Sequence, residues 1–225
     1  MNPDRKAWNQ RHQTLRQSLS FPLDHTEAIR LFLEQHAAVH SSSVSGGSGW
    51  SFSDEALCGL SEAMMRMIPP GSDHSIAWLI WHMARIEDVT MNLLVAGGPT
   101  IFEDADWQNR LGANTRDTGN ALNAEEIAAL SASVRLDELR AYRDAVGLRT
   151  RAIAVGLRVD QMKRKVDPAR LEQIMAQGAA VEATRGLLDY WGGLTTAGLL
   201  LMPPTRHNFI HLNEALKLRA ALARA

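Results

Sequence analysis

Ser75-Ile-Ala-Trp-Leu-Ile-Trp-His82-Met-Ala-Arg-Ile-Glu87-Asp88 is the stretch that best indicates how this chain folds. Apolar residues recur in and after it at spacings of three and four, the period of an amphipathic α-helix, in the series Leu79, His82, Ile86, Val89 and Leu93. His82 therefore lies on the stripe that is expected to face inward. A buried imidazole needs a partner, because an unsatisfied buried polar group costs roughly 1–3 kcal/mol.

A second stretch far along the chain, Arg206-His207-Asn-Phe-Ile-His211-Leu-Asn-Glu214-Ala215, adds two more histidines. His207 and His211 are one helical turn apart, and Ala215, Leu218 and Leu222 continue their line. Three inward-facing imidazoles from two helices have one economical common partner, a divalent metal ion.

The alternative is that the spacing has no chemical meaning. A His-x-x-x-His pair is a weak motif, and the chain contains a second pair, His36 and His40, on another predicted helix. That pair could line a pocket or form a satisfied polar layer. A lone core histidine such as His82 is usually only hydrogen-bonded.

The two stretches, in this order and separation, resemble the DinB/YfiT-like superfamily of bacterial metal-binding four-helix bundles. In that family one histidine on the second helix joins a His-x-x-x-His pair near the chain end. Trp81-His82-Met83-Ala84 matches the first part, and His207 to His211 followed by Leu-Asn-Glu matches the second. The resemblance spans roughly residues 24–224. It implies metal ligation by His82, His207 and His211, and a homodimer.

Composition limits the kind of partner. The chain has 225 residues, enough for one domain with a sizeable core, and a formal net charge of −1 with both signs mixed along it. There is no basic stripe, which argues against nucleic acid or an anionic membrane. Cys58 is the only cysteine, so an internal disulfide and a thiolate cage are excluded.

The start of the chain, Met1-Asn-Pro-Asp-Arg-Lys, is polar and lacks the apolar region of a signal peptide. No apolar run approaches membrane-spanning length. We therefore expect a cytoplasmic protein.

Helical periodicity is frequent along the chain, and no strand-like alternation persists. The pattern predicts an all-α fold, a four-helix bundle with additional short helices, with an N-terminal arm at 1–23 and the bundle domain at 24–225. Main helices are expected at 24–40, opened by Asp24, at 73–94, opened by Ser72 or Asp73, and at 133–157. A further helix is expected at 186–202. Pro203-Pro204 should break it, and Thr205 should cap the last helix.

Three protein ligands leave at least one metal position open, which is typical of catalytic rather than structural zinc sites. The alternative is a metal that only joins two helices. Imidazole ligands accept zinc, nickel, iron and manganese, and the resemblance leaves zinc and nickel open.

Glu214 shares a helical face with His207 and His211, so it is the candidate catalytic residue. It could act as a base or hydrogen-bond a ligating imidazole; a surface ion pair is equally compatible with its position. Glu87 and Asp88 are turned away from His82, which favours a solvated rim or a salt bridge, with a carboxylate behind a ligand as the alternative for Glu87.

Two further positions flank the predicted ligands. Arg206 is expected at the surface, or else at a pocket mouth where it would hold an anionic group. Of Trp78 and Trp81, one is expected in the core and the other in a pocket wall.

Some members of the superfamily that this chain resembles are transferases or isomerases that use low-molecular-weight thiols such as bacillithiol or mycothiol. By that resemblance the chain is expected to be a metal-dependent transferase of a thiol or small electrophile. Two alternatives remain open: a metal-dependent hydrolase, and a non-catalytic bundle that binds a metal or small ligand.

Overall fold

Four helices form the centre of the protein, in a computed structural model that describes residues 2–20, 24–47 and 49–224. They are α2 (His25–Val39), α5 (Ile76–Asp88), α8 (Leu136–Gly156) and α12 (Asn208–Leu222). Helix α5 packs against α8 and α12, and α2 packs against the same two helices, so the four close into a bundle. The prediction of an all-α fold is confirmed.

Shorter helices surround the bundle. They are α1 (Pro3–Ser20), α3 (Phe52–Leu57), α4 (Glu62–Arg66), α6 (Trp107–Leu111), α7 (Ala124–Ser133), α9 (Pro168–Ala176), α10 (Arg185–Gly192) and α11 (Thr196–Leu201). Single 3-10 turns cover Ser42–Ser45, Ile101–Glu103, Val159–Gln161 and Glu182–Thr184.

Helix α1 occupies most of the predicted N-terminal arm. It packs against α2 and α11 and buries Trp8 and Leu15 completely. The indole Nε1 of Trp8 donates to the carbonyl oxygen of Gln35 at 3.0 Å, so the buried ring also satisfies its polar atom. Helix α1 thus contributes to the core, and a domain boundary at residue 24 stays a prediction.

Side-chain caps determine where several helices begin. Asp24 accepts from the backbone N–H of Glu27 at 3.0 Å and opens α2, as predicted. The predicted start of the second main helix at Ser72 or Asp73 was wrong. Ser75 is the cap, because its hydroxyl accepts from the backbone N–H of Trp78 at 3.0 Å.

Two helices, α5 and the short α11, change into wider π-helical turns next to the histidines. Helix α5 continues as a π-helix over Val89–Ala96, and α11 continues through a π-helix over Met202–His207 into α12. The predicted break at Pro203-Pro204 and the predicted cap at Thr205 were therefore wrong. Proline has no N–H to donate, and the hydroxyl of Thr205 instead donates to the carbonyls of Leu200 and Leu201, at 3.1 and 2.8 Å.

The predicted single helix at 186–202 is divided into α10 and α11 after Gly192 and Gly193. Beside this interruption an isolated bridge pairs Lys165 with Thr195, the one extended pairing in the described ranges. None of the helices described is both long and apolar enough to cross a membrane.

Candidate metal centre

The three predicted ligands come together in the structure. His82 lies on α5, His207 ends the π-helical turn, and His211 lies one turn into α12. The Nε2 atom of His207 is 3.1 Å from Nε2 of His82 and 3.1 Å from Nε2 of His211. Three ligand nitrogens within 4.8 Å of one another could hold one metal ion.

Oxygen acceptors behind two of the rings fix which nitrogen carries the proton. Nδ1 of His82 is 2.8 Å from the carbonyl oxygen of Thr118, and Nδ1 of His211 is 2.8 Å from Oε2 of Glu214. A carbonyl or carboxylate oxygen can only accept, so both Nδ1 atoms donate. In the neutral tautomers the Nε2 lone pairs of His82 and His211 both face His207.

Three Nε2 atoms face one another here, and a single shared proton satisfies their lone pairs less well than a metal cation would. If His207 carried its proton on Nε2, that single N–H would have to serve two lone pairs. Imidazoles that ligate a metal characteristically donate their other N–H to an oxygen, as His82 and His211 do. Ligand nitrogens at about 2.0–2.1 Å from a tetrahedral zinc ion stand roughly 3.4 Å apart, close to the separations here. The residues therefore fit a divalent ion.

Burial favours the uncharged form of these histidines. It lowers the pKa of His82 to about 4, aided by His211 and opposed by the hydrogen bond to Thr118. Burial likewise holds the pKa of His207 well below its ordinary value of 6.5, and the neighbouring His82 and His211 lower it further. A neutral imidazole is the form that binds metals, so both rings are in their ligating state at neutral pH.

A cavity of about 330 Å³ opens onto the three histidines. Trp78 forms one wall, with its ring parallel to that of His82 at a centroid distance of 4.8 Å, whereas Trp81 is buried in the core, as predicted. Gly119 lies directly under Trp78. Its φ is +99°, and a Cβ there would stand 3.0 Å from the indole Nε1, so only glycine allows this wall.

Glu214 lies behind the ligands and does not line the cavity. One of its oxygens receives the N–H of His211, and the other is 3.0 Å from Nε2 of His74. Hydrogen bonds from these two histidines lower the pKa of Glu214 and keep it ionised. Of the two predicted roles, its position favours orienting His211 over acting as a base on a substrate.

The other His-x-x-x-His pair lies at the C-terminal end of α2, where His36 is in the last turn and His40 is the C-cap, and it surrounds Glu87. Nε2 of His36 and Nε2 of His40 are each 2.9 Å from a different oxygen of the Glu87 carboxylate, and Asn208 donates to the same group at 2.7 Å. Although burial opposes ionisation, attraction and hydrogen bonds from His40 and His36 hold the pKa of Glu87 well below 4.5. These three side chains are a second group that could hold a metal ion.

The solvated rim predicted for Glu87 and Asp88 was wrong, because both are buried. Asp88 accepts from the hydroxyl of Tyr142 at 2.5 Å and from two backbone N–H groups, and it pairs with Arg85 at 3.4 Å. For Asp88 the structure thus shows the alternative, a salt bridge, here to Arg85.

Arg206 does not reach the cavity. It donates to Oδ1 of Asn9 at 2.6 Å and lies over the ring of Trp8, 5.4 Å from its centroid. A role in holding an anion at the mouth has no support in this geometry.

Two residues near the ligands were missed by the sequence reasoning. Thr118 acts through its backbone carbonyl, which any residue would supply, so no sequence signal could have identified it. Asn120 is the one amide side chain that lines the cavity among the described residues, and it also donates to the hydroxyl of Thr118 at 2.9 Å.

A protein-family model matches much of this chain. Residues 49–179, more than half of the chain, match the DinB superfamily, a segment that contains His82 but neither of the His-x-x-x-His pairs. Among curated proteins no sequence is similar enough to count as a match. The matched segment covers α3 to α9 and much of the helical core, and the chain belongs to the DinB superfamily.

Proposed function

We propose that this protein holds one divalent transition-metal ion, zinc or nickel, through His82, His207 and His211. We propose further that it uses the open metal position to bind a low-molecular-weight thiol or small electrophile, as a metal-dependent transferase. The proposal rests mainly on two oxygen acceptors, the carbonyl of Thr118 and the carboxylate of Glu214. They bind the Nδ1–H groups of His82 and His211, so that the Nε2 lone pairs of both rings converge next to the cavity.

The protein's own groups would contribute positioning and exclusion of water. Thr118 and Glu214 keep the rings of His82 and His211 in place, so little reorganisation accompanies binding. Trp78 and the largely buried Trp191 shield the ligand nitrogens from bulk solvent. A divalent ion bound there supplies positive charge that stabilises a thiolate at neutral pH.

A non-catalytic binding protein is the second candidate. It is favoured by the lining of the cavity, which among the described residues contains no carboxylate, lysine, cysteine or tyrosine hydroxyl other than that of Tyr190. The same lining gives little support to a hydrolase, because Glu214, the candidate base, lies behind His211. A binding protein and a transferase differ in turnover, not in metal content.

The proposal is tested with cobalt-substituted protein, because the visible spectrum of cobalt reports its ligands. Addition of a small thiol should change the absorption as sulfur enters the coordination shell, and the change should disappear in His211→Ala. A spectrum indifferent to thiols, azide and pH would mean a closed shell and would reject the open site. Elemental analysis of the purified protein identifies the native metal.

The homodimer and the cytoplasmic location implied above remain part of this proposal. Light scattering at micromolar concentration tests the first: a monomer mass of 24.8 kDa would reject it. Fractionation of the source cells tests the second.

A further inference from the structure

We infer that the cavity above the three histidines takes an uncharged, flat and largely apolar small molecule that carries a single metal-binding atom, such as an aromatic thiol. This inference rests on the proposed function and adds the chemical class of the ligand. A thiol that carries a negative charge or many hydroxyl groups would be a poor ligand for such a cavity.

The walls of the cavity are apolar or aromatic. Besides the three histidines, the cavity is lined by Ile86 on α5, by residues of α10 and by the start of the π-helical turn, and its main side chains are Trp78, Ile86, Leu187, Tyr190, Trp191 and Met202. Flat aromatic surfaces pack best against flat partners through offset or edge contacts. Tyr190 is 48% exposed, as expected of a residue at the mouth of the cavity.

No charged side chain other than a titratable histidine lines the cavity in the described part of the chain. The nearest candidate cation by sequence, Arg206, is engaged by Asn9 and Trp8. The carboxyl group of Glu214 lies directly behind His211 and offers no positive charge to a ligand. A carboxylate drawn into such a cavity would lose its hydration without gaining a partner.

Hydrogen-bonding capacity is equally limited. Asn120 is the single amide in the lining, and its Nδ2 already donates to Thr118. Beyond it the described lining offers the indole N–H of Trp78 and the hydroxyl of Tyr190 at the mouth. A sugar-like ligand needs several acceptors and donors, since each unpaired hydroxyl costs free energy on burial. At about 330 Å³ the cavity lies near the lower end of the range for small-molecule sites, about 300–1,000 Å³, which fits one or two rings.

The test compares two thiols that differ by one carboxylate. Cobalt-loaded protein is titrated with phenylmethanethiol and with 4-(mercaptomethyl)benzoate, and each dissociation constant is read from the visible spectrum. We expect the uncharged thiol to bind more tightly by on the order of tenfold or more, because the charged one is desolvated without compensation. Equal affinities, or tighter binding of the carboxylate, would overturn the inference.

A change of charge in the cavity wall tests why the two thiols differ in affinity. Leu187→Arg adds a cation to the wall and should reverse the preference towards the carboxylate, whereas Leu187→Met should leave it unchanged. If Leu187→Arg fails to fold or to take up cobalt, Tyr190→Arg serves instead, because Tyr190 is half exposed. A preference that neither arginine variant shifts would reject the charge argument. Failure of every thiol to change the spectrum would instead reject the proposed function, so the two failures are distinguishable.

Discussion

Two His-x-x-x-His pairs lie in this protein, and the difference between their surroundings separates a ligand pair from a polar layer. His207 and His211 join His82 below a cavity, where nitrogen faces nitrogen. His36 and His40 lie at the C-terminal end of α2 with their rings stacked at 4.2 Å, and each points at a different oxygen of the Glu87 carboxylate.

Hydrogen bonding at the second ring nitrogen explains the contrast. His82 and His211 have oxygen acceptors at Nδ1, which leaves Nε2 free for a metal. The Nδ1 atoms of His36 and His40 have no hydrogen-bond partner in the described structure. Because a carboxylate oxygen only accepts, their Nε2 atoms carry the protons that Glu87 receives, and a protonated Nε2 does not ligate in that tautomer. Nδ1 of His207 also lacks a partner in the described residues, so the contrast rests on His82 and His211.

The charged groups around Glu87 also argue against a metal ion between His36 and His40. The guanidinium of Arg143 is buried near Glu87 and donates to the carbonyl oxygen of Val39 at 2.7 Å. Its positive charge interacts favourably with that of Glu87 and would repel a divalent ion placed beside the carboxylate. We therefore expect a metal at the His82 site and a hydrogen-bonded layer at Glu87.

The largest effect that we predict is on metal content, and it tests whether His82, His207 and His211 are the ligands. The combined change of His82, His207 and His211 to alanine should reduce bound metal from about one ion per chain to none, because three ligands of one ion are lost. Elemental analysis of the purified variant measures this. Metal at full occupancy in it would show that the ligands lie elsewhere.

The second prediction concerns the other pair. His36→Ala with His40→Ala should keep the metal but lower the free energy of unfolding by about 3–5 kcal/mol, because Glu87 loses two donors and stays buried. Urea unfolding of the double variant measures the loss. Addition of Glu87→Gln to it should restore part of the stability, since the uncompensated charge is removed. Loss of metal from the double variant, with metal kept in His207→Ala, would reverse our assignment.

Periodicity within single helices predicted that His82, His207 and His211 face inward, and the resemblance to the DinB/YfiT-like superfamily implied that they form one site. The structure brings their Nε2 atoms together. Periodicity also predicted that Glu87 is turned away from His82. It did not predict that α2 covers that face, because the pairing of α2 with α5 around Glu87 depends on tertiary packing. The solvated rim was the wrong expectation for this reason.

The rule that prolines end a helix also failed, because contacts from another helix stabilise the chain at Pro203 and Pro204. Two prolines usually end a helix, yet α11 passes into α12 because the hydroxyl of Thr205 satisfies carbonyls that the prolines leave free. His12 on α1 adds to this, with Nε2 at 3.1 Å from the carbonyl oxygen of Leu201. The sequence around Pro203 contains no sign of that support from α1.

A third prediction uses pH to distinguish the clusters. Burial lowers the pKa of folded His40 from 6.5 to about 4, although Glu87 opposes the shift. The unfolded chain therefore binds more protons between these values, and stability decreases as pH falls from 6.5 towards 4. From pH 8 to pH 5 His40 should account for about 2 kcal/mol of lost stability.

The measurement is urea unfolding of chelator-treated protein at both pH values, for wild type and His40→Gln. Glutamine can still donate to Glu87 but does not titrate, so the loss at pH 5 should be about 2 kcal/mol smaller. The buried histidines that are not hydrogen-bonded to Glu87, namely His12, His82 and His207, are common to both proteins, so their contributions are expected to cancel. An identical decrease in both proteins would contradict a neutral His40 in the folded state.

The smallest effect concerns the carboxylate behind His211. Glu214→Ala should weaken metal binding by about 10–100-fold, because the imidazole loses the acceptor that fixes its tautomer. Glu214→Gln should fall between this variant and wild type, since an amide oxygen still accepts the Nδ1 proton but carries no charge. Competition with a chromophoric chelator measures the affinities, and Glu125→Ala, at an exposed site on α7, is the matched control. If Glu87→Gln weakened the metal more than Glu214→Ala does, the two carboxylates would have exchanged roles and the contrast between the two histidine pairs would not hold.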